Sequence, residues 1–183
     1  METFDQLWQR LEASVPDVTG EPLAPGASLE AVTQVEQVLG VHLPDDVTAS
    51  YRRHNGNFPM QLPIQMTVLP LDDIVSWWQT LEELRHDESW ANQPPLYFTK
   101  EALRSGRPSS APIQPVWWHQ CWVPIAADLG GNLSCVDLVP APGGLVGQII
   151  DWDHECGPTS VLFSSFTHLL TALADEMEAR LDP

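Results

Sequence analysis

The amino-acid sequence predicts an α+β fold, with a mixed, mainly antiparallel sheet flanked by helices in a single domain spanning residues 1–183. Apolar residues repeat at helical spacing before residue 56 and again after Ser165, whereas residues 122–162 alternate as strands do. Helices, strands and a final helix therefore follow one another in blocks, which is typical of an antiparallel sheet rather than of alternating βαβ units. A length of 183 residues is that of one domain.

The first predicted helix begins at Thr3, which forms a capping-box pattern with Gln6. Its apolar face repeats every three or four residues through Leu11. Residues 15–27 contain several prolines and glycines, and we expect them to form a connector.

Two more helices are predicted before the strands. Ser28 is a suitable N-cap for the second, and Gly40 is suited to end it. Pro44 starts the third, which is expected to stop at Asn55-Gly56 in a left-handed conformation.

The middle of the chain is mixed. A short strand is predicted from Met66 to Leu69 and a helix from Asp72 onward. Five prolines between residues 92 and 115 predict a Pro-rich surface excursion. Four strands are expected after it, and the turn signal Gly130-Gly131-Asn132 separates the first two. The strands are predicted at residues 122–128, 133–139, 145–150 and 160–162, before a last helix capped by Ser164 or Ser165.

The charge excludes two classes of partner. The chain has 25 acidic and 8 basic residues, a formal charge of -17. Nucleic acids and anionic membranes are bound by clustered Lys and Arg, and no such cluster occurs here. The acidic N-terminus does not resemble a signal peptide, and three cysteines cannot all pair, so we expect a cytoplasmic protein with reduced thiols.

Metal binding and catalysis have weak support in the sequence. His119-x-Cys121 and His154-x-Cys156 offer ligand types that zinc accepts, with Cys135 as a further thiol, but their spacing is not that of structural zinc sites. Motifs for nucleophilic hydrolases, metalloproteases and nucleotide binding are absent. The sequence therefore predicts no enzyme, no metal site and no cofactor.

Acidic residues accompany the predicted strands, and no Lys or Arg occurs between residues 108 and 179. Three interpretations remain open: turn formation and solvation, an interaction face for a basic partner, and acid–base catalysis by a carboxylate pair. The residues concerned are Asp128, Asp137, Asp151, Asp153 and Glu155.

Trp117 and Trp118 are adjacent, and successive side chains of a strand point to opposite faces. If this segment is extended, one of the two is exposed and is a candidate anchor for a protein partner. A second packed layer beneath the excursion is an equally good interpretation. The candidate partner-binding residues are Trp117, Trp118, Asp128, Asp151, Asp153 and Glu155.

Several motifs together resemble the SMI1/KNR4 family of the SUKH superfamily. The N-terminal motif is Glu36-x-x-Leu39-Gly40-x-x-Leu43-Pro44-x-Asp46 followed by Tyr51-x-x-x-Asn55-Gly56. The C-terminal motifs are Trp122-x-Pro124-x-Ala126-x-Asp128-x-Gly130-Gly131, Cys135-x-Asp137-x-x-Pro140, Gly144-x-x-Gly147-Gln148-Ile149-Ile150 and Ser165-Phe166-x-x-Leu169-Leu170.

The resemblance implies an α+β fold and a non-enzymatic binding role. Bacterial members are commonly immunity proteins that neutralise toxins, many of them nucleases, whereas fungal members are scaffolds in cell-wall synthesis and signalling. Because a nuclease presents basic residues, the acid excess leads us to expect an immunity protein for a cationic toxin domain, with a regulatory or scaffold protein as the alternative. The oligomeric state is left open.

Overall fold

The computed structural model describes residues 2–60, 65–86 and 111–181. In these ranges five helices accompany a six-stranded sheet whose strands pair in chain order, each antiparallel to the next, so the predicted α+β fold is confirmed. The helices are α1 (Phe4–Thr19), α2 (Leu29–Leu39), α3 (Asp45–Arg53), α4 (Leu71–His86) and α5 (Phe166–Leu181). The strands are β1 (Phe58–Met60), β2 (Met66–Val68), β3 (Trp122–Ala127), β4 (Leu133–Asp137), β5 (Gln148–Asp153) and β6 (Gly157–Phe163).

The helices begin where short-range capping predicts. The Thr3 side chain accepts a hydrogen bond from the Gln6 N–H, and Gln6 Oε1 accepts one from the Thr3 N–H, which completes the capping box. Ser28 Oγ accepts from the Ala31 N–H at 3.0 Å. Ser165 Oγ, rather than Ser164, accepts from the N–H of His168 at the start of α5. These caps satisfy N–H groups that the first turn of a helix leaves unpaired.

Several predicted boundaries are wrong. The strands predicted at residues 133–139, 145–150 and 160–162 are found at Leu133–Asp137, Gln148–Asp153 and Gly157–Phe163, because pairing with neighbouring strands sets their ends. Two helix ends also differ. The helix α1 continues through Pro16 to Thr19, so the connector starts at Gly20 and not at Val15. A proline here removes only one hydrogen bond in the last turn, and the buried Val15 side chain keeps that turn packed. The helix α3 ends at Arg53 with an extended His54, and not in a left-handed conformation at Asn55-Gly56.

The Asn55-Gly56 pair has a different function in the structure. Asn55 Oδ1 accepts from the N–H of Leu71, the first residue of α4. Gly56 has a φ of +60°, and a Cβ atom there would collide with the backbone of Leu69. This turn therefore needs a glycine because both its φ and its close approach exclude other residues.

The sheet is covered on both faces. The helical core lies on one face, between the sheet and the apolar sides of α1, α2, α3 and α5. The tryptophan core lies on the other and contains Trp117, Trp118, Trp122 and Trp152 together with Leu81 of α4. The strand β4 contributes Val136 to the first core and Leu133 and Cys135 to the second, so all its residues are buried. The strand β1 was missed because three residues give too short an alternation to detect.

Most of the Pro-rich excursion predicted at 92–115 lies outside the described residues. Its last part, residues 111–115, lies against the β4–β5 loop, where the Ala141 N–H donates to the Pro112 carbonyl and Gln114 Nε2 donates to the Val139 carbonyl. In the described ranges no helix has the length and apolar character needed to span a membrane.

The helices α1, α3 and α5 are joined by ion pairs. Arg10 of α1 binds Glu178 and Asp175 of α5 at 2.7 and 2.6 Å. Arg53 of α3 binds Glu12 of α1 at 2.6 Å, and His54 Nε2 lies 3.0 Å from the same Glu12 carboxylate. Mainly because Arg53 donates to it, the pKa of Glu12 falls from the usual 4.5 to about 2.

Glu12→Gln should make the protein less sensitive to acid. A carboxylate whose pKa is depressed in the folded state adds stability above its unfolded pKa, and that stability is lost as the pH falls from 4.5 towards 2. The variant should lose about 1 kcal/mol at neutral pH, because the pair is partly solvated, and should show a flatter decline below pH 4.5. Urea unfolding across this pH range measures both effects. Glu83→Gln, at an exposed position of α4, is the control, and an equal change there would contradict the assignment to Glu12.

Candidate functional site

Four of the five acidic residues that accompany the predicted strands meet at one end of the sheet, and Asp137 does not. The β3–β4 turn and the β5–β6 turn lie side by side there, because Leu133 of β4 pairs with Trp152 of β5. Asn132 Oδ1 links the two turns by accepting from the His154 N–H at 3.2 Å. We name this surface the acidic end and define it as Asp128, Asp151, Asp153 and Glu155.

Asp128 organises the β3–β4 turn. Its carboxylate accepts three hydrogen bonds of 2.8 Å, from the Gly130 N–H, the Asn132 N–H and Asn132 Nδ2. Burial alone would raise its pKa, but the hydrogen bonds from Asn132 and the turn glycines outweigh burial and lower it. Asp128 is therefore ionised at neutral pH, and turn formation, one of the three interpretations of the acids, is confirmed at this residue.

Asp153 organises the β5–β6 turn in the same way, by accepting hydrogen bonds from backbone N–H groups. Asp153 Oδ1 accepts from the N–H groups of Glu155 and Cys156, each at 2.8 Å, and the Glu155 side chain is exposed. Asp151 lies just below the turn and accepts a hydrogen bond from the Thr159 hydroxyl. Burial, and then the negative charges of Asp153 and Asp128, raise the pKa of Asp151. The carboxylates thus act on one another electrostatically, and residues 111–179 contain no Lys or Arg to neutralise them.

The expectation that Trp117 or Trp118 is exposed is wrong. Their exposed fractions are 8% and 3%, and both belong to the tryptophan core. They precede β3 rather than lie in a strand, so the alternation of side chains between two faces does not apply to them. Neither side chain is available as a surface anchor, and the packed-layer interpretation describes their positions.

Leu129 was missed by the sequence analysis. It is fully exposed at the tip of the β3–β4 turn, next to Asp128. A detectable signal was present, since an apolar residue between the two ends of a tight hairpin turn cannot reach either core. The acidic end therefore combines carboxylates with one apolar side chain.

The His–Cys pairs do not converge. His119 Nδ1 accepts from the Cys121 N–H at 3.1 Å, whereas His154 is hydrogen-bonded to Asn132 at the acidic end. Cys135 is fully buried in the tryptophan core. In the described ranges no three His, Cys, Asp or Glu side chains are grouped as metal ligands would be. Burial raises the pKa of Cys121 and Cys135, which disfavours the thiolate that a nucleophile or a metal ligand needs.

Asp137 is a buried carboxylate at the opposite end of β4 from the acidic end. Its Oδ1 accepts from Trp122 Nε1 at 3.1 Å and from the Val139 N–H at 3.0 Å, and its Oδ2 accepts from Gln148 Nε2 at 2.9 Å. Burial raises its pKa more than these hydrogen bonds lower it. Four residue steps along β4 separate it from Leu133, which places Asp128 on the order of 13 Å or more away. The two carboxylates therefore do not form a pair for acid–base catalysis.

The motif residues behind the family resemblance have structural roles here. Glu36 Oε1 accepts from the Leu43 N–H at 2.8 Å and holds the loop between α2 and α3. Asp46 Oδ2 accepts from both the N–H and the hydroxyl of Thr167 at 2.9 Å, which joins α3 to the start of α5. Glu36 therefore stabilises its own loop, whereas Asp46 connects two helices that are far apart in the sequence.

Known proteins share this sequence pattern. The model of the SMI1/KNR4 family (SUKH-1) matches residues 26–172. The "KNR4/SMI1 homolog 2" of Debaryomyces hansenii is 25% identical over 96% of this chain and 36% of its own length. The "Cell wall biosynthesis/cell cycle regulator smi1" of Schizosaccharomyces pombe is 30% identical over 84% of this chain and 31% of its own length. The "Cell wall assembly regulator SMI1" of Saccharomyces cerevisiae is 25% identical over 81% of this chain and 34% of its own length.

The chain spans about a third of the length of these curated relatives. Two of the three are named as regulators of cell-wall processes. The family match covers most of the chain, from the connector before α2 to the first half of α5. This chain belongs to the SMI1/KNR4 (SUKH-1) family.

Proposed function

We propose that this chain is a non-enzymatic protein-binding domain that regulates or scaffolds a basic partner protein, as in cell-wall synthesis or signalling. The observation that carries the proposal is membership of a family whose relatives are named as cell-wall regulators. These names favour the regulatory alternative over the immunity protein that we first expected. The Cys121 and Cys135 thiols form no disulfide, which is compatible with action in the cytoplasm.

The acidic end is the surface that we assign to partner binding. Glu155 is exposed, whereas Asp128, Asp151 and Asp153 also accept hydrogen bonds from the turns or from Thr159. The surrounding strands β3–β6 contain no Lys or Arg. A negative surface of this kind accelerates the encounter with a basic protein and orients it. Leu129 adds an apolar contact that does not depend on salt.

An immunity protein is the second candidate, and the charge of -17 favours it. A nuclease toxin must present basic residues to its substrate, and an acidic surface can cover them. The regulator and the immunity protein predict different genetic results. A regulator has a constant partner in its own cell and a growth phenotype on deletion, whereas an immunity protein protects against the toxin encoded by an adjacent gene.

The test starts with capture of partners from extracts of the source cells by the full chain. The captured protein is then identified, purified and titrated at low and high salt. Glu155→Lys should weaken binding roughly fivefold at low salt, because it reverses a charge at the acidic end. Glu83→Lys, the same charge change on α4, is the control and should have little effect. Equal effects of both variants would contradict the acidic end as the contact, and neutralisation of a neighbouring-gene toxin would replace the regulatory proposal by the immunity one.

A further inference from the structure

The two edges of the sheet differ. The strand β1 forms one edge and has only three residues, one of them Pro59. The strand β6 forms the other edge with seven residues and pairs with β5 alone. In the part of the chain that the structure describes, no other strand and no loop backbone is hydrogen-bonded to residues 158–163. A row of backbone N–H and C=O groups therefore faces outward along β6.

The edge strand β6 pairs irregularly with β5. Pro158 and the extra residue Thr159 interrupt the pairing near the start of the strand, and Leu162 is a second extra residue, between the pairs Val161–Ile150 and Phe163–Ile149. Residues 159–163 contain neither a charge nor a proline. Of the common means of blocking strand addition, β6 therefore has bulges but neither charges nor prolines after Pro158, and within the described ranges its outer edge is unpaired.

Packing holds this edge in an extended conformation. Val161 packs against the tryptophan core on one face of the sheet, whereas Leu162 and Phe163 pack against the helical core on the other. Phe163 also makes an edge-to-face contact with His168 at 5.4 Å. A segment that binds there does not have to order β6 first, which lowers the entropic cost of binding.

The acidic residues beside β6 indicate which kind of segment would pair with this strand. The strand β6 begins immediately after the turn that carries Asp153 and Glu155, and Thr159 of β6 is hydrogen-bonded to Asp151. A segment paired with β6 therefore has one of its ends beside the acidic end. A second copy of this chain would bring another charge of -17, which opposes self-pairing.

We propose that β6 accepts an extended, basic segment of the partner protein as a seventh strand, with Lys or Arg side chains at the end that meets Asp153 and Glu155. Backbone hydrogen bonds supply affinity, and the acidic end selects a basic sequence and its register. This inference rests on the proposed function, since it specifies how the basic partner is held.

The test uses a synthetic peptide of about eight residues in which Arg and Thr alternate, because this composition is both basic and suited to a strand. The control peptide has the same sequence and charge, but its backbone is N-methylated at every second residue and cannot pair along one edge. Binding of the full chain is measured by titration, and amide hydrogen exchange is followed in β6. We expect the unmodified peptide to bind roughly tenfold more tightly and to slow exchange at residues 159–163.

Two matched variants extend the test. Ser160→Lys places a cation on the edge strand, whereas Thr67→Lys places one at an exposed position of the internal strand β2. Ser160→Lys should weaken binding of the unmodified peptide several-fold more than Thr67→Lys, because only the first obstructs an edge. Equal binding of the two peptides, without protection of β6, would overturn strand addition and leave the charge-based proposal intact. Failure of both peptides to bind at low salt would overturn the basic partner itself.

Discussion

Replacing Asp137 by asparagine should lower the free energy of unfolding by about 3 kcal/mol, although the two side chains have nearly the same shape. The carboxylate accepts from three donors, Trp122 Nε1, the Val139 N–H and Gln148 Nε2. An asparagine amide offers one acceptor oxygen and turns its own N–H₂ group toward one of these donors. A buried donor is then left without a partner.

Rotation of the Gln148 amide cannot relieve this conflict. Gln148 Oε1 already accepts from the Leu145 N–H at 3.1 Å, and its Nε2 also donates to the Pro112 carbonyl at 3.0 Å. Urea unfolding monitored by tryptophan fluorescence measures the loss. Asp17→Asn, at an exposed position of α1, is the control and should change stability by less than about 0.5 kcal/mol. A loss below about 1 kcal/mol for Asp137→Asn would show that the Asp137 hydrogen bonds do not hold the loops around β4.

Trp152→Ala should have the largest effect of all, about 4 kcal/mol, since it removes the centre of the tryptophan core. The Trp152 ring makes edge-to-face contacts with Trp117 at 5.0 Å and with Trp118 at 5.8 Å. Its Nε1 donates to the Trp117 carbonyl at 2.6 Å. Truncation leaves a large cavity and removes the hydrogen bond to the Trp117 carbonyl.

Trp152→Phe separates these two contributions, because phenylalanine keeps an aromatic ring but lacks the N–H. We expect a loss of about 1–2 kcal/mol for this variant, measured by the same unfolding titration. Near-ultraviolet circular dichroism should change strongly in the alanine variant, since three coupled tryptophans lose their fixed arrangement. If both variants lost little free energy of unfolding, segment 111–121 would be held in place by other contacts.

Local interactions explain which parts of the fold were predictable. Thr3, Ser28 and Gly40 cap their helices through partners within four residues along the chain, and all three were identified from the sequence. The same holds for Asp128, whose hydrogen bonds stay within its own turn. Where a distant segment decides the outcome, prediction failed. Val15 is packed in the core and carries α1 past Pro16, and Asn55 caps α4 instead of ending α3.

In the candidate site, too, local features were predictable and contacts between distant segments were not. The sequence identified the acidic residues one by one, but the pairing of Leu133 with Trp152 is what brings the two acidic turns together. Exposure of Trp117 or Trp118 was expected from a strand pattern, whereas both are buried before β3 begins. The open edge at β6 depends on the order of all six strands, which alternation alone does not give.

By itself, the sequence determined the acid excess, the order of helices and strands apart from β1, and the family. These properties follow from composition and from contacts between near neighbours. The tertiary structure alone decided which carboxylates share one surface, which tryptophans are buried and which strand edge is open. Those properties depend on strand register and on packing between separate segments, such as Trp117 and Trp152, which lie 35 residues apart, and such contacts leave no local pattern in the chain.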